Sequence, residues 1–238
     1  MKKEKDTERL ATLEEVFDYS TVMTAYSLIR KNIIDHFNGT LSTGKESRVY
    51  LAFDSNNNML AVKIYLITSA EFKRGMRMYL DDYGLKLYSK NFRNAVFYWC
   101  EKEYKHLKIA YEANVRVPKP IAYKNNILVL EFLGEEGKPA PLLADCYGID
   151  FDKAYHDIIE SIQNLYKAGL IHADLSEYNI LYHKEAPYLI DFGQSVKISH
   201  PNANYFLLRD IKNINKFFRS RKVPVIEDYE LFEKITSY

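Results

Sequence analysis

The sequence predicts an α+β fold of two lobes with extra helices ahead of them, and three observations predict it. Residues 42–65 read as a small-residue loop, a strand, a polar turn and a second strand, the start of an antiparallel sheet. Residues 96–110 change to helical spacing, with Tyr104, Leu107 and Ala110 on one face. Further on, two short apolar runs, Asn179-Ile180-Leu181-Tyr182 and Tyr188-Leu189-Ile190, each adjoin acidic or amide side chains. The expected organisation is N-terminal helices over 1–38, a strand-rich lobe with a connecting segment over 39–133, and a reduced helical lobe over 134–238.

The first helices rest on Leu13, Val16 and Phe17, then Met23, Tyr26, Ile29 and Ile33, with Thr12 or Ser20 as caps and Asn38-Gly39 as the stop. The loop Ser42-Thr43-Gly44-Lys45-Glu46-Ser47-Arg48-Val49 fills a G-x-G-x-x-G-x-V frame, with serine at the first and third glycine positions. Small residues there let backbone N–H groups approach phosphates. The polar run 54–58 suits a hairpin turn, and Ala61-Val62-Lys63-Ile64-Tyr65 places Lys63 on the following strand, the candidate for the α/β-phosphates. The same region nearly spells G-x-x-x-x-G-K-[ST], but Glu46 stands where a hydroxyl should hold Mg²⁺, and a strand follows where a helix should open.

A lysine on phosphates needs an acidic partner, and the 96–110 helix offers Glu101 and Glu103, about 200° apart on a helix. Glu103 precedes Leu107 by one helical turn and shares its inward face, so Glu103 is the expected partner. The buried strand 126–132 then runs into Leu133 and Gly134. There the Glu131 carbonyl and the Leu133 N–H would meet an adenine edge, with Leu130 behind it; main-chain groups carry such recognition. Prolines 118, 120, 139 and 141 bracket the segment where the chain changes direction.

The most specific signal is His172-x-Asp174 with Asn179 five positions after the aspartate, followed by Asp191-Phe192-Gly193. This is the H-x-D-x-x-x-x-N and D-F-G arrangement of a protein-kinase-like site. Asp174 accepts a hydroxyl proton or orients a nucleophile, while Asn179 and Asp191 offer hard oxygen ligands to Mg²⁺. His172 reads as a structural hydrogen-bonder in the loop, and histidines 36, 156, 183 and 200 show no metal-binding spacing. After Gly193 come a turn at His200-Pro201-Asn202, a helix from Tyr205 to Phe218, and a basic cluster at 217–222 read as surface.

Ser42-Thr43-Gly44-Lys45-Glu46, the 171–181 loop and Ile190-Asp191-Phe192-Gly193-Gln194 together resemble the RIO family of atypical protein kinases, in its type-one branch, over residues 39–218. Ser176 replaces the usual catalytic-loop lysine, and no A-P-E follows the D-F-G. The resemblance implies a bilobal protein-kinase-like fold whose truncated C-lobe lacks the usual peptide-binding helices. It implies ATP with Mg²⁺ or Mn²⁺ and a serine/threonine kinase seen chiefly through autophosphorylation, at Ser89 or a neighbour. It also implies an ATPase route in which Asp191 is transiently phosphorylated. The implied partner is a maturing small ribosomal subunit, met through protein and rRNA, in the cytoplasm. An aminoglycoside-type small-molecule kinase and an assembly factor clamped by ATP without chemistry are the alternatives.

Composition narrows the classes. A net charge of +1 exerts no global pull toward nucleic acid or membrane. Cys100 and Cys146 are too few for a disulfide framework, and no apolar run is long enough for a membrane span. The one strongly basic, aromatic stretch is an insertion at 72–93, suited to a loop that meets RNA phosphates or protein.

Overall fold

The computed structural model describes residues 17–67 and 92–237, so residues 72–91 of the insertion, Ser89 among them, and Thr12, Leu13 and Val16 lie outside the described residues. These residues form two compact units. One comprises 17–67, 92–104 and 120–139, and the other 105–119 and 140–237.

The first unit is built on an antiparallel sheet of β1 (His36–Thr43), β2 (Ser47–Phe53), β3 (Met59–Tyr65), β4 (Pro120–Lys124) and β5 (Ile127–Glu131), in the order β1-β2-β3-β5-β4. Helix α1 (Tyr19–Arg30) covers one face. Its cap is Asp18, where Ser20 was expected: the carboxylate accepts from the N–H groups of Ser20 at 3.0 Å and Thr21 at 3.4 Å. The helix also stops earlier than expected, because Asn32 takes a left-handed φ of 57° just past Lys31. Asn38 and Gly39 instead belong to β1, where the pairing with β2 slips between Phe37 and Thr40.

Strand periodicity explains which side chains meet α1. Leu60, Val62 and Ile64 alternate onto the face that packs with Ala25, Leu28, Ile29, Tyr50, Ile127 and Val129. Each large aliphatic side chain buried there contributes about 1.5–3 kcal/mol. Lys63, one residue out of step, therefore points to the opposite face, between its cross-strand neighbours Val49 and Leu128. Buried Asn126 fastens the helix to the sheet, donating to Thr21 Oγ1 at 3.0 Å and to the Tyr65 carbonyl at 2.9 Å. After β5 a small hairpin follows, β6 (Gly134–Glu135) with β7 (Lys138–Pro139). A Cβ at Gly134 would sit 2.1 Å from the Lys138 carbonyl oxygen, so only glycine fits this turn after the strand.

Helix α2 (Phe92–Glu112) begins in the first unit and ends in the second. The second unit then adds α3 (Phe151–Lys167), β8 (Leu170–Ile171), β9 (Ile180–His183), β10 (Ala186–Leu189), β11 (Val196–Lys197), α4 (Ala203–Ser220) and α5 (Asp228–Thr236). β9 pairs with β10 and β8 with β11, both antiparallel. Helix α3 buries Ala154, Tyr155, Ile158, Ile159, Ile162 and Leu165, a stripe at helical spacing behind an Asp150 cap. The basic cluster at 217–222 is surface only in part: Phe217 and Phe218 are core residues, while Arg219 and Lys222 are exposed. The reason is the helix period, which turns 207, 211, 214 and 218 to one side.

Because Asp18 satisfies the first N–H groups of α1, Asp18→Ala should lower stability by about 1 kcal/mol. Asp18→Asn should keep most of it, read as the midpoint of urea unfolding at constant slope.

Candidate active site

In the first unit the Lys63 ammonium sits 2.9 Å and 3.0 Å from the two oxygens of Glu103. Glu101 is not the residue in that pair. The lysine is 8 % exposed and the glutamate 1 %, so the pair is desolvated and its members depend on each other. Tyr65, two residues along β3, offers its ring face to the Lys63 nitrogen at 5.0 Å. Burial holds the neighbouring Cys100 thiol firmly protonated.

The 42–47 segment joins β1 to β2 as a tight turn. Ser42 and Thr43 pair with Val49 and Arg48, and the Gly44 N–H bonds the Ser47 carbonyl at 2.9 Å. That N–H is therefore spent on closing the turn and is not one offered to phosphates. Ser42, Thr43, Gly44 and Lys45 are exposed, whereas Glu46, Ser47 and Val49 are half-buried. The Glu46 carbonyl accepts from Leu66 N–H at 2.9 Å, tying the turn to the end of β3. Of the expected adenine contacts, Leu130 is half-buried, Glu131 exposed and Leu133 buried.

In the second unit the catalytic-loop residues are held from below by α4. Asp210 is buried, and its carboxylate accepts from Ala173 N–H at 2.7 Å and Leu175 N–H at 2.9 Å, the two amides flanking Asp174. Arg209 donates to the Ala173 carbonyl, and Asn213 to that of Leu175 at 3.1 Å. Ala173 itself has φ 63°, a left-handed conformation that costs an alanine about 1–2 kcal/mol. Four hydrogen bonds from one helix face hold it there. Burial pushes the Asp210 carboxyl up to about 7, against the two N–H donors and the Arg209 guanidinium.

Asp174 is raised to about 6, by burial first and by the Asp191 charge second, with Arg209 and Asn179 pulling the other way. Asn179 donates its amide nitrogen to the Asp174 carbonyl at 2.7 Å and to Asp174 Oδ2 at 3.3 Å. With the nitrogen committed on that side, the amide presents its oxygen on the other. Asp191 also takes a left-handed backbone, φ 63° and ψ 65°, and its side chain is exposed. His172 lies 2.9 Å through Nε2 from the Ile190 carbonyl, and its ring meets Phe192 edge-on at 4.8 Å, the structural part its position suggests.

The donor set suits a hard cation: one carboxylate and one amide oxygen. Among the described residues no cluster of three or more His, Cys, Asp or Glu side chains could hold a metal alone. Mg²⁺ takes few protein ligands and keeps water and phosphate oxygens for most of its shell. Sequence reasoning missed Asp210 and Arg209, although a carboxylate between the core residues Leu207 and Ile211 was a legible anomaly. It also missed His106, whose Nδ1 lies 2.6 Å from Ser195 Oγ.

Comparison with known proteins places the chain. It belongs to the RIO family: the family model for the RIO domain matches residues 48–231. Two relatives are named as of the first type. A serine/threonine-protein kinase rio1 of Dictyostelium discoideum is 40% identical over 97% of this chain. A RIO-type serine/threonine-protein kinase Rio1 of Haloferax volcanii is 39% identical over 98%. The chain spans 41% of the Dictyostelium protein and 80% of the Haloferax one. Among solved structures, the Rio2 kinase-ADP/Mg²⁺-phosphoaspartate complex from Chaetomium thermophilum matches with a TM-score of 0.73 at 25% identity, covering 91% of this chain and 65% of that one. The α+β, protein-kinase-like fold expected from the motifs is the fold found. No helix among the described residues is long and apolar enough to cross a membrane.

Lys63→Met strands the buried Glu103 carboxylate and should cost about 3 kcal/mol or more of stability. Adding Glu103→Leu should restore more than half of that loss. A double-mutant cycle by chemical denaturation measures both, and full additivity would contradict a desolvated pair.

Proposed function

We propose that this chain is an ATP- and Mg²⁺-dependent serine/threonine kinase that phosphorylates itself and serves the maturation of small ribosomal subunits in the cytoplasm. The observation that carries the reading is Asn179 turned by Asp174, so that its amide oxygen faces away from that aspartate, in the same unit as the Asp191 carboxylate. The names of its relatives support the serine/threonine kinase part of this reading. Mn²⁺ suits the same oxygen set.

In this reading Lys63, held by Glu103, meets the α/β-phosphates, and the 42–47 turn with Val49 borders the nucleotide. Leu130, the Glu131 carbonyl and the Leu133 N–H meet adenine. Asn179 and Asp191 would hold Mg²⁺, which when bound neutralises charge on the phosphate oxygens. Asp174 hydrogen-bonds the acceptor hydroxyl and takes its proton as the oxygen bonds to the γ-phosphorus and ADP departs. Positioning and charge neutralisation supply most of the rate.

The phosphoaspartate named for the Rio2 complex favours a second outcome at the same residues. A carboxylate oxygen of Asp191 bonds to the γ-phosphorus while the bond to ADP breaks, giving an acyl phosphate. Water then cleaves it to inorganic phosphate and free Asp191, a net ATPase cycle. Incubation with γ-labelled ATP separates the outcomes. Hydroxylamine-stable label on serine marks the kinase, and hydroxylamine-sensitive label absent from Asp191→Ala marks the ATPase cycle.

Asp174→Ala should abolish transfer while ATP binding, followed by calorimetry, stays within a few-fold of the parent. Equal turnover would remove Asp174 from the mechanism. Since the deprotonated Asp174 is the active form and its carboxyl titrates near 6, kcat/KM should rise about tenfold per pH unit below 6 and level off above it. A profile flat from pH 5 to 8 would count against the assignment.

A further inference from the structure

Asp191 needs its left-handed backbone to aim its carboxylate, and such a conformation persists in a non-glycine residue only where its surroundings fix it. On the N-terminal side the fixing is plain. Ile190 donates its N–H to the Asn179 carbonyl at 3.0 Å and offers its own carbonyl to His172 Nε2 at 2.9 Å. On the C-terminal side the Phe192 carbonyl accepts twice from Ser195, from its N–H at 3.1 Å and its hydroxyl at 2.6 Å. Ser195 is fully buried, and its oxygen lies 2.6 Å from Nδ1 of the buried His106 on α2.

The chemistry of these atoms fixes the direction of the chain. A carbonyl oxygen only accepts, so the single Ser195 hydroxyl proton points at Phe192. The serine oxygen must then accept from His106, which carries its proton on Nδ1. Glu103 lies three residues before His106 on the same helix, hence on a neighbouring stretch of the same face.

We propose that His106, acting through Ser195, is a positioning residue for Asp191, fixing the backbone that follows the metal ligand. A turn of α2 that withdraws His106 leaves the Ser195 hydroxyl without its donor and loosens the Phe192 carbonyl. The inference rests on Asp191 being a metal ligand, as in the functional reading above.

Two measurements test it, neither of them turnover. In ¹⁵N-histidine-labelled protein, the imidazole signals that vanish in His106→Asn belong to His106, and they should show the Nδ1–H tautomer. An Nε2–H tautomer would overturn the proposal. Second, Mn²⁺ binding is followed by electron paramagnetic resonance with a non-hydrolysable ATP analogue. Asparagine keeps a donor at the Nδ1 position, so His106→Asn should stay within about threefold of the parent, whereas His106→Phe should bind Mn²⁺ about tenfold or more weakly. Ser195→Ala should weaken it similarly, and serves in place of His106→Phe if that variant does not fold. Metal-free binding of the analogue should be unchanged in all three. Equal Mn²⁺ affinity in the parent, His106→Phe and Ser195→Ala overturns the proposal, as does His106→Asn as weak as His106→Phe. A parent that binds no Mn²⁺ with the analogue overturns the metal reading of Asp191, and this inference with it.

Discussion

From His172 to Ser176 the chain lies outside strand and helix, and its backbone must find hydrogen-bond partners elsewhere. The Asp210 carboxylate supplies them, taking the amides of Ala173 and Leu175 on either side of Asp174. Arg209 and Asn213 take the corresponding carbonyls. A single face of α4 thus converts an irregular segment into a rigid one. Everything downstream depends on that rigidity: the left-handed Ala173, the direction of Asp174, and through Asp174 the orientation of Asn179.

The second constraint is the placement of charge out of water. Lys63 and Glu103 are each buried well enough that neither is tolerable alone, so the pair reports that β3 and α2 are correctly set. Asp174 stands under a different regime. Burial and the nearby Asp191 both oppose its ionisation, which brings its titration close to neutrality, where a proton acceptor is most useful. Two carboxylates of one unit are thereby made unlike by their surroundings: Asp191 is exposed, while Asp174 is half-buried and hydrogen-bonded to Asn179. The division suits a ligand for a cation and an acceptor for a proton.

Histidines in this chain act through position. His172 and His106 hold the carbonyls of Ile190 and, by way of Ser195, of Phe192, so the residue between them keeps a conformation it would not choose in isolation. His172 was legible as a structural residue because it sits inside the motif it supports. His106 was not, because nothing in the order of residues links position 106 to position 195; the link exists only once α2 lies beside the D-F-G segment.

What the sequence by itself determined was the family resemblance and the local frame of the candidate site. The spacing of Asp174, Asn179 and Asp191, the strand bearing Lys63, and the helical phase that prefers Glu103 to Glu101 are all properties of short stretches, governed by strand and helix periods. The resemblance to the RIO family rests on the same short stretches. Boundaries set by single side chains escaped it: Asp18 rather than Ser20 caps α1, and a left-handed Asn32 ends the helix before Asn38-Gly39, which enters β1. Helices α3 and α5 carried amphipathic patterns that motif reading passed over. Only the tertiary structure decided that Asp210 serves the loop at 173–175, that Phe217 and Phe218 are core, and that Gly44 spends its N–H on its own turn. Those outcomes join residues distant in the chain or compete for one hydrogen-bonding group, and burial decides such contests only after the chain has folded.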